Sequence, residues 1–250
     1  MALKRKINQK IIKILGRTPP KEIPKRLFNE YTLNNQIETD RWYFNEVGLP
    51  FPRMFFRFKK IFNLLRYQKK NPTKDLDKWI FEAIEKYPVK DKTVVNIGGG
   101  PRYECIFLSY GAKNTTTIDY LKQIFLHPKM KNLTPKEYDK NPVKFDIGSS
   151  ISSFEHDGLG RYGDPINPNA DLEAMGKMKQ MIKKQGLLFL AVPVGKDTLV
   201  WNAHRVYGKI RLPLLLKGWK AIDSFGFEES KLNEENRQGR YMPIFVLKNV

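Results

Sequence analysis

The stretch from 93 to 119 constrains this chain more than any other part of it. Thr93-Val94-Val95-Asn96-Ile97 is a short apolar run of buried-strand character, Gly98-Gly99-Gly100 follows at once, residues 103 to 110 read as a helix, and Thr115-Thr116-Thr117-Ile118 is a second strand closed by Asp119. Strand, helix and strand at these lengths make a βαβ unit, so the sheet is parallel there. The turn after the first strand of such a unit presents backbone N–H groups and a helix N-terminus to a ligand. Asp119, 21 residues after Gly98, places a carboxylate where it accepts hydrogen bonds from ribose hydroxyls. The unit therefore predicts a nucleoside-containing cofactor. A dinucleotide fingerprint needs a third glycine where Tyr103 stands, which disfavours NAD. Neither G-x-x-x-x-G-K-[ST] nor G-x-S-x-G occurs, so the phosphate loop of nucleotide hydrolases and the hydrolase nucleophile elbow are excluded.

Downstream, strand candidates at 131 to 133, 145 to 154, 187 to 192, 221 to 225 and 244 to 248 continue the alternation, with a helix at 172 to 184 stopped by Gly186 and a closing antiparallel hairpin at the tail. Upstream the pattern differs, and the boundary falls near Lys86 to Lys92. We read residues 1–90 as a helical, basic N-terminal extension and 91–250 as one α/β domain. Within the extension, residues 3 to 15 space Leu3, Ile7, Ile11, Ile14 and Leu15 as a basic amphipathic helix, suited either to a membrane surface or to packing on its own domain. Residues 53 to 70 are dense in Phe, Ile and Leu and favour burial, and 75 to 87 form an amphipathic helix.

The 45 Lys and Arg against 26 Asp and Glu leave a net charge of +19 over 250 residues, so an anionic setting is expected: nucleic acid, anionic lipid or an acidic glycan. A single cysteine, Cys105, permits no intrachain disulfide, and the helix around it reads as core. One Cys and three His are too few for a Cys/His zinc site, and no metal is expected. No apolar run reaches the length of a signal core or a membrane span; a cytoplasmic protein, peripheral at the inner membrane face, is the expectation.

At Asn96-Ile97-Gly98-Gly99-Gly100-Pro101-Arg102 the chain resembles the class I S-adenosylmethionine-dependent methyltransferases, whose first motif is an acid, any residue, then alternating glycines. Asn96 stands where that family has the acid, and Arg102 where it has the last glycine. The likeness runs on through Asp119, Phe145-Asp146 and Glu155-His156. It is closest to a little-characterised nematode and bacterial branch with the run Glu155-His156-Asp157-Gly158-Leu159-Gly160-Arg161-Tyr162-Gly163-Asp164-Pro165. The resemblance implies a Rossmann-like, seven-stranded sheet, mostly parallel with an antiparallel last strand, in the order 3-2-1-4-5-7-6. It also implies S-adenosyl-L-methionine as cofactor, with Asn96, Gly98, Gly99, Gly100, Asp119, Tyr120 and Glu155 around it.

Ligands of open α/β sheets sit at the carboxyl ends of the strands, so the glycine-rich segment after strand four lies beside the reacting methyl. Methyl transfer to an alcohol needs a base for the hydroxyl proton. His156 titrates in the right range but equally fits as a pocket wall; Asp157 or Glu155 would orient it or serve instead, and His204 is the alternative base. Arg161, Tyr162, Asp164 and Arg205 are the candidate acceptor contacts, Arg205 with Arg211 for a phosphate or carboxylate. The expected activity is O-methylation of a sugar hydroxyl in a surface polysaccharide, lipid-linked glycan or nucleotide-sugar. Two other functions stay open, RNA methylation and a non-catalytic interaction subunit of the same fold.

Overall fold

In this computed structural model the described residues are 18–47, 53–55, 58, 61–63, 69 and 75–250. The strands are β1 (Glu38–Arg41), β2 (Arg53–Phe55), β3 (Thr93–Ile97), β4 (Asn114–Ile118), β5 (Gln123–Phe125), β6 (Met130–Leu133), β7 (Phe145–Ile151), β8 (Ile182–Ala191), β9 (Thr198–Trp201), β10 (His204–Val206), β11 (Lys220–Phe225) and β12 (Ile244–Lys248). The helices are α1 (Phe28–Tyr31), α2 (Asp75–Lys86), α3 (Arg102–Ser109), α4 (Pro135–Lys140), α5 (Ala170–Met181) and α6 (Arg211–Leu216).

Seven strands form the main sheet in the order β11-β12-β8-β7-β3-β4-β6. Numbered within the sheet and read from the β6 edge, this is the expected 3-2-1-4-5-7-6. The pairs from β6 to β8 are parallel, and β12 runs antiparallel to both β8 and β11. The fold is Rossmann-like, of the methyltransferase type. Side chains alternate across a strand, so a central strand covered on both faces sends apolar side chains into two cores. Val94, Phe189, Ala191, Ile244 and Val246 point to one core, with Ile80, Ile84, Ile106 and Phe107 from α2 and α3. Val95, Leu188, Leu190, Phe245 and Leu247 point to the other, with Met175 and Met178 of α5 and Leu212 and Leu215 of α6. Cys105 is buried in the first of these.

The helix expected at 172 to 184 ends earlier, at Met181, and Gly186 lies inside β8 rather than stopping a helix. Ile182 is already extended and fully buried, paired with Phe145 at the start of β7.

The described part of the N-terminal extension is helical over Lys25–Leu27, α1, α2 and at residues 58, 61–63 and 69, and forms strands at β1 and β2. β1 joins β9 in parallel to make a three-stranded sheet with β10, and β2 pairs with β5. Tyr31 and Ile37 close a small core on Leu159, Leu199 and Trp201, which holds this segment against the α/β domain. Phe58 is buried, with Ile61 and Phe62 beside it against the α2 and α3 core, in keeping with burial of that stretch. The basic stretch 3 to 15 lies outside the described residues. No helix among the described residues is long and apolar enough to cross a membrane.

Candidate functional site

The site is assembled at the carboxyl ends of β3 and β7. The chain builds the sheet in one direction from β3 and in the other from β7, leaving a crevice between their ends. β3 ends in the glycine turn, where Gly98 and Gly99 take φ of 71° and 86°, angles that a β-carbon disfavours. The Gly98 N–H donates to the Ile118 carbonyl at 3.0 Å, tying the turn to β4. A Cβ placed on Gly99 or Gly100 would meet nothing within 4 Å, so that face of the turn is open. One on Gly98 would stand 2.5 Å from Ser153 Oγ, which shows how closely the segment after β7 abuts the turn.

Asn96, expected among the cofactor contacts, lies beneath the turn instead. Its Nδ2 donates to the Gly98 carbonyl at 3.0 Å and to Glu104 Oε1 at 2.9 Å, and Thr117 Oγ1 donates to the same Glu104 oxygen. Burial pushes the Glu104 carboxyl up to about 7, against the pull of the Thr117 and Asn96 hydrogen bonds. The first turn of α3 thus supplies a buried acidic side chain that bonds to Asn96 beneath the turn. Arg102 faces the other way and pairs with Asp77 of α2 at 2.7 Å.

Asp119 stands at the end of β4 as expected. Its Oδ1 accepts from the Leu121 N–H at 2.8 Å, and its Oδ2 from Gln123 Nε2 at 3.0 Å. The same Gln123 nitrogen donates to the Gly99 carbonyl at 2.6 Å, so Gln123 spans the two sides of the cradle. Tyr120, next in the chain, is exposed.

Beside this cradle the segment after β7 encloses a cavity of about 280 Å³. Its walls include Ser152, Glu155, His156 and Arg161 from that segment, Ala203 and His204 around the β9–β10 turn, and Gln238, Gly239 and Met242 before β12. Trp42 and Phe44 of the N-terminal segment close it. His156 Nδ1 donates to the Ala203 carbonyl at 2.6 Å, which fixes the tautomer and leaves Nε2 with its lone pair. Burial, with Arg161 adding to it, holds His156 down at about 4, so the ring is neutral at pH 7. His204 is 6.3 Å away, ring to ring, and its Nε2 donates to the Arg237 carbonyl at 3.0 Å. Burial and then His156 lower its pKa too. Arg161 donates Nε to Glu46 at 3.0 Å and Nη1 to the Ala203 carbonyl at 3.3 Å. Its guanidinium lies 4.4 Å from the Phe44 ring centre and 5.0 Å from that of Tyr162.

Glu155, His156, Arg161 and His204 are therefore brought together, with the Tyr162 ring 5.6 Å from that of His156. Asp164 serves the loop itself, accepting from the Gly160 and Tyr162 N–H groups at 2.9 and 3.2 Å. Asp157 is pushed well above the usual carboxylate range by burial and by Asp164. Arg205 is a correction. Expected to hold an acceptor anion, it is fully buried, with Nη1 on the Asp157 carbonyl at 2.6 Å, Nη2 on the Pro168 carbonyl at 3.1 Å and Nε 3.8 Å from Asp171. Arg211 likewise grips Asp171, at 2.6 and 2.9 Å. These guanidiniums face the interior because Asp171 is there to neutralise them.

Trp42 and Phe44 carry no motif and were not legible as site residues. The Trp42 N–H donates to the Trp201 carbonyl at 2.6 Å, and the buried Asn202 side chain holds Phe44 in place, accepting from its N–H at 2.8 Å and donating to its carbonyl at 2.9 Å. Asn202→Ala should leave both groups without that partner and cost about 2 kcal/mol, or roughly 4–8 °C in Tm for a chain of this size. Thermal unfolding followed by circular dichroism would measure it; an unchanged Tm would mean that water replaces both bonds.

Known proteins resemble this chain in sequence or in fold. The sequence model of the family described as "Caenorhabditis protein of unknown function, DUF268" matches residues 91–242. No curated protein matched the sequence. One solved structure of similar fold is the Burkholderia thailandensis 1,6-didemethyltoxoflavin-N1-methyltransferase with bound 1,6-didemethyltoxoflavin and S-adenosylhomocysteine. It shares 15% identity at a TM-score of 0.51, over 76% of this chain and 84% of that one. Another is the N-methyltransferase NodS from Bradyrhizobium japonicum WM9 in complex with S-adenosylhomocysteine, with 10% identity and a TM-score of 0.47, over 76% and 98%. The first of these likenesses shows the fold.

Proposed function

Since this chain belongs to the DUF268 family and has a Rossmann-like methyltransferase fold, we propose that it is an S-adenosylmethionine-dependent O-methyltransferase acting on a sugar hydroxyl of a surface polysaccharide, lipid-linked glycan or nucleotide-sugar. The observation that carries this reading is the cavity holding Glu155, His156 and His204 immediately beside the glycine turn. The residues present suit the cofactor. The open face over Gly99 and Gly100 admits a close approach, and the Asp119 carboxylate, at the end of β4 beside that face, suits a ribose diol. When bound, S-adenosylmethionine supplies a methyl group on a sulfonium, whose S–C bonding pair returns to sulfur as the acceptor oxygen takes the methyl.

The chain's own part is to hold the acceptor and receive its proton. Trp42 and Phe44 offer flat apolar faces to a ring, while Glu155, His156 and Arg161 offer polar contacts to its hydroxyls. His156 presents an unprotonated Nε2, the form required of a base. The +19 charge suits an acidic polymer or lipid surface. Asn96 and Arg102, the departures that favour a non-catalytic subunit, have partners within the chain in Glu104 and Asp77.

Titration calorimetry with S-adenosylhomocysteine should show micromolar binding, weakened by about 10- to 100-fold in Asp119→Ala through loss of charge-assisted hydrogen bonds. Absence of binding to well-folded protein would refute the enzyme reading. Transfer of labelled methyl from S-adenosylmethionine to a panel of sugars, but not to RNA, would support the glycan acceptor.

A further inference from the structure

The resemblance places Glu155 with the cofactor, and the sequence also offers it as the group that orients His156 or replaces it as base; in the structure it stands in the wall of the cavity, 1% exposed and facing His156. Glu155 Oε1 lies 3.5 Å from His156 Nε2 and accepts from Ser152 Oγ at 2.7 Å, while Oε2 is buried with no hydrogen-bond partner. A carbonyl oxygen only accepts, so the His156 nitrogen on the Ala203 carbonyl carries a proton and Nε2 of the neutral ring carries none. An ionised Glu155 would then set lone pairs against lone pairs, with its second oxygen bare in a buried site. One proton between the two groups relieves both costs.

We propose that Glu155 and His156 are a proton-sharing pair, and that this pair is the general base that takes the proton of an acceptor hydroxyl in the cavity. The inference rests on the methyltransferase reading and deepens it. In the step, the acceptor O–H bond breaks and its proton passes to the proton-free pair. The oxygen forms its bond to the methyl of the sulfonium donor, and the S–C pair stays on sulfur. The proton then leaves to water, and the pair is ready again.

The groups around the pair set when it is proton-free. Ser152 precedes it, Arg161 and Asp164 follow it in the same segment, His204 faces it from β10, Glu46 from the N-terminal segment and Tyr103 from α3. Burial lifts Glu155 to about 7, against the Ser152 hydrogen bond and the charges of His204 and Arg161, and holds His156 down at about 4. The shared proton therefore rests on Glu155 and is lost near neutral pH, and the apparent pKa belongs to the pair. Activity that needs the proton-free pair rises with pH through that point and falls below it.

The test uses the full chain without cofactor or acceptor. The ring ¹⁵N shifts of His156, followed by NMR between about pH 5 and pH 9, should show Nδ1 protonated throughout and Nε2 responding near neutral pH. Glu155→Gln should abolish that response, and Ser152→Ala, which removes a bond favouring the charged carboxylate, should move it to higher pH. The same response in Glu155→Gln, or an unmoved one in Ser152→Ala, would overturn the pair. Affinity for S-adenosylhomocysteine, measured alongside, should stay within about twofold in Glu155→Gln; a loss of tenfold or more, about 1.4 kcal/mol, would return Glu155 to the cofactor site. Failure of the NMR prediction with intact binding by the unsubstituted chain would remove the pair and leave the methyltransferase reading standing.

Discussion

Asp171→Ala should be the most destabilising single substitution considered for this chain, costing about 3–5 kcal/mol, because it strands two buried guanidinium groups. Asp171 is fully buried at the start of α5. It accepts from Arg211 Nη2 at 2.6 Å, Arg211 Nε at 2.9 Å and Tyr207 Oη at 3.0 Å, and lies 3.8 Å from Arg205 Nε. Burial alone would raise its pKa, but Arg205 and Arg211 outweigh that and hold it below the usual value. A carboxyl whose folded-state pKa is lowered contributes stability that is complete above its unfolded pKa and is lost as pH falls through the folded one. The gap between the two proteins should therefore be widest at neutral pH and shrink below about pH 4. For a chain of this size it corresponds to roughly 6–20 °C in Tm at pH 7. Thermal unfolding at pH 7 and about pH 3 checks both points. A neutral-pH Tm within about 2 °C of the parent's would show that water reaches the arginines and that the network is not what anchors β10 and α6 to α5.

That network also marks where sequence reasoning stops. The sheet order followed from the resemblance and from local pattern, because an apolar run, a glycine turn and a helix are coded by neighbours a few residues apart. The Gly98 to Asp119 cradle was legible for the same reason. Arg205 was not, because its orientation depends on Asp171, and Arg211 meets that same carboxylate across 40 positions. His204 and Arg205 were read as an alternative base and an acceptor contact, with nothing in the sequence to show their neighbours. Both lie in β10, at the edge of a sheet whose other edge strand, β1, comes from the N-terminal segment. Phe44 reaches the cavity through contacts 158 positions away, at Asn202, and Trp42 through the neighbouring Trp201. Glu104 was hidden by convention rather than distance. The acid was sought at Asn96, on the strand, while the acidic side chain beneath the turn comes from the helix that follows.

His156→Ala should lower the rate of methyl transfer by about 10²–10⁴-fold, the range for loss of a positioned base, with affinity for S-adenosylhomocysteine unchanged. The separation follows from geometry. The His156 ring is held by the Ala203 carbonyl and faces the cavity with Glu155 and His204, whereas the open glycine face and Asp119 belong to the neighbouring cradle. Removing the ring takes away the Nε2 lone pair and half of the proton-sharing pair, so the loss should appear in kcat more than in KM. The assay is transfer of labelled methyl from S-adenosylmethionine to the sugar acceptor that the panel identifies. Unchanged turnover would exclude His156 as the base and turn attention to His204. Its Nε2 donates to the Arg237 carbonyl, so it is Nδ1 that remains to accept a proton. A parallel loss of cofactor affinity would instead mean that the ring is a wall shared by both pockets.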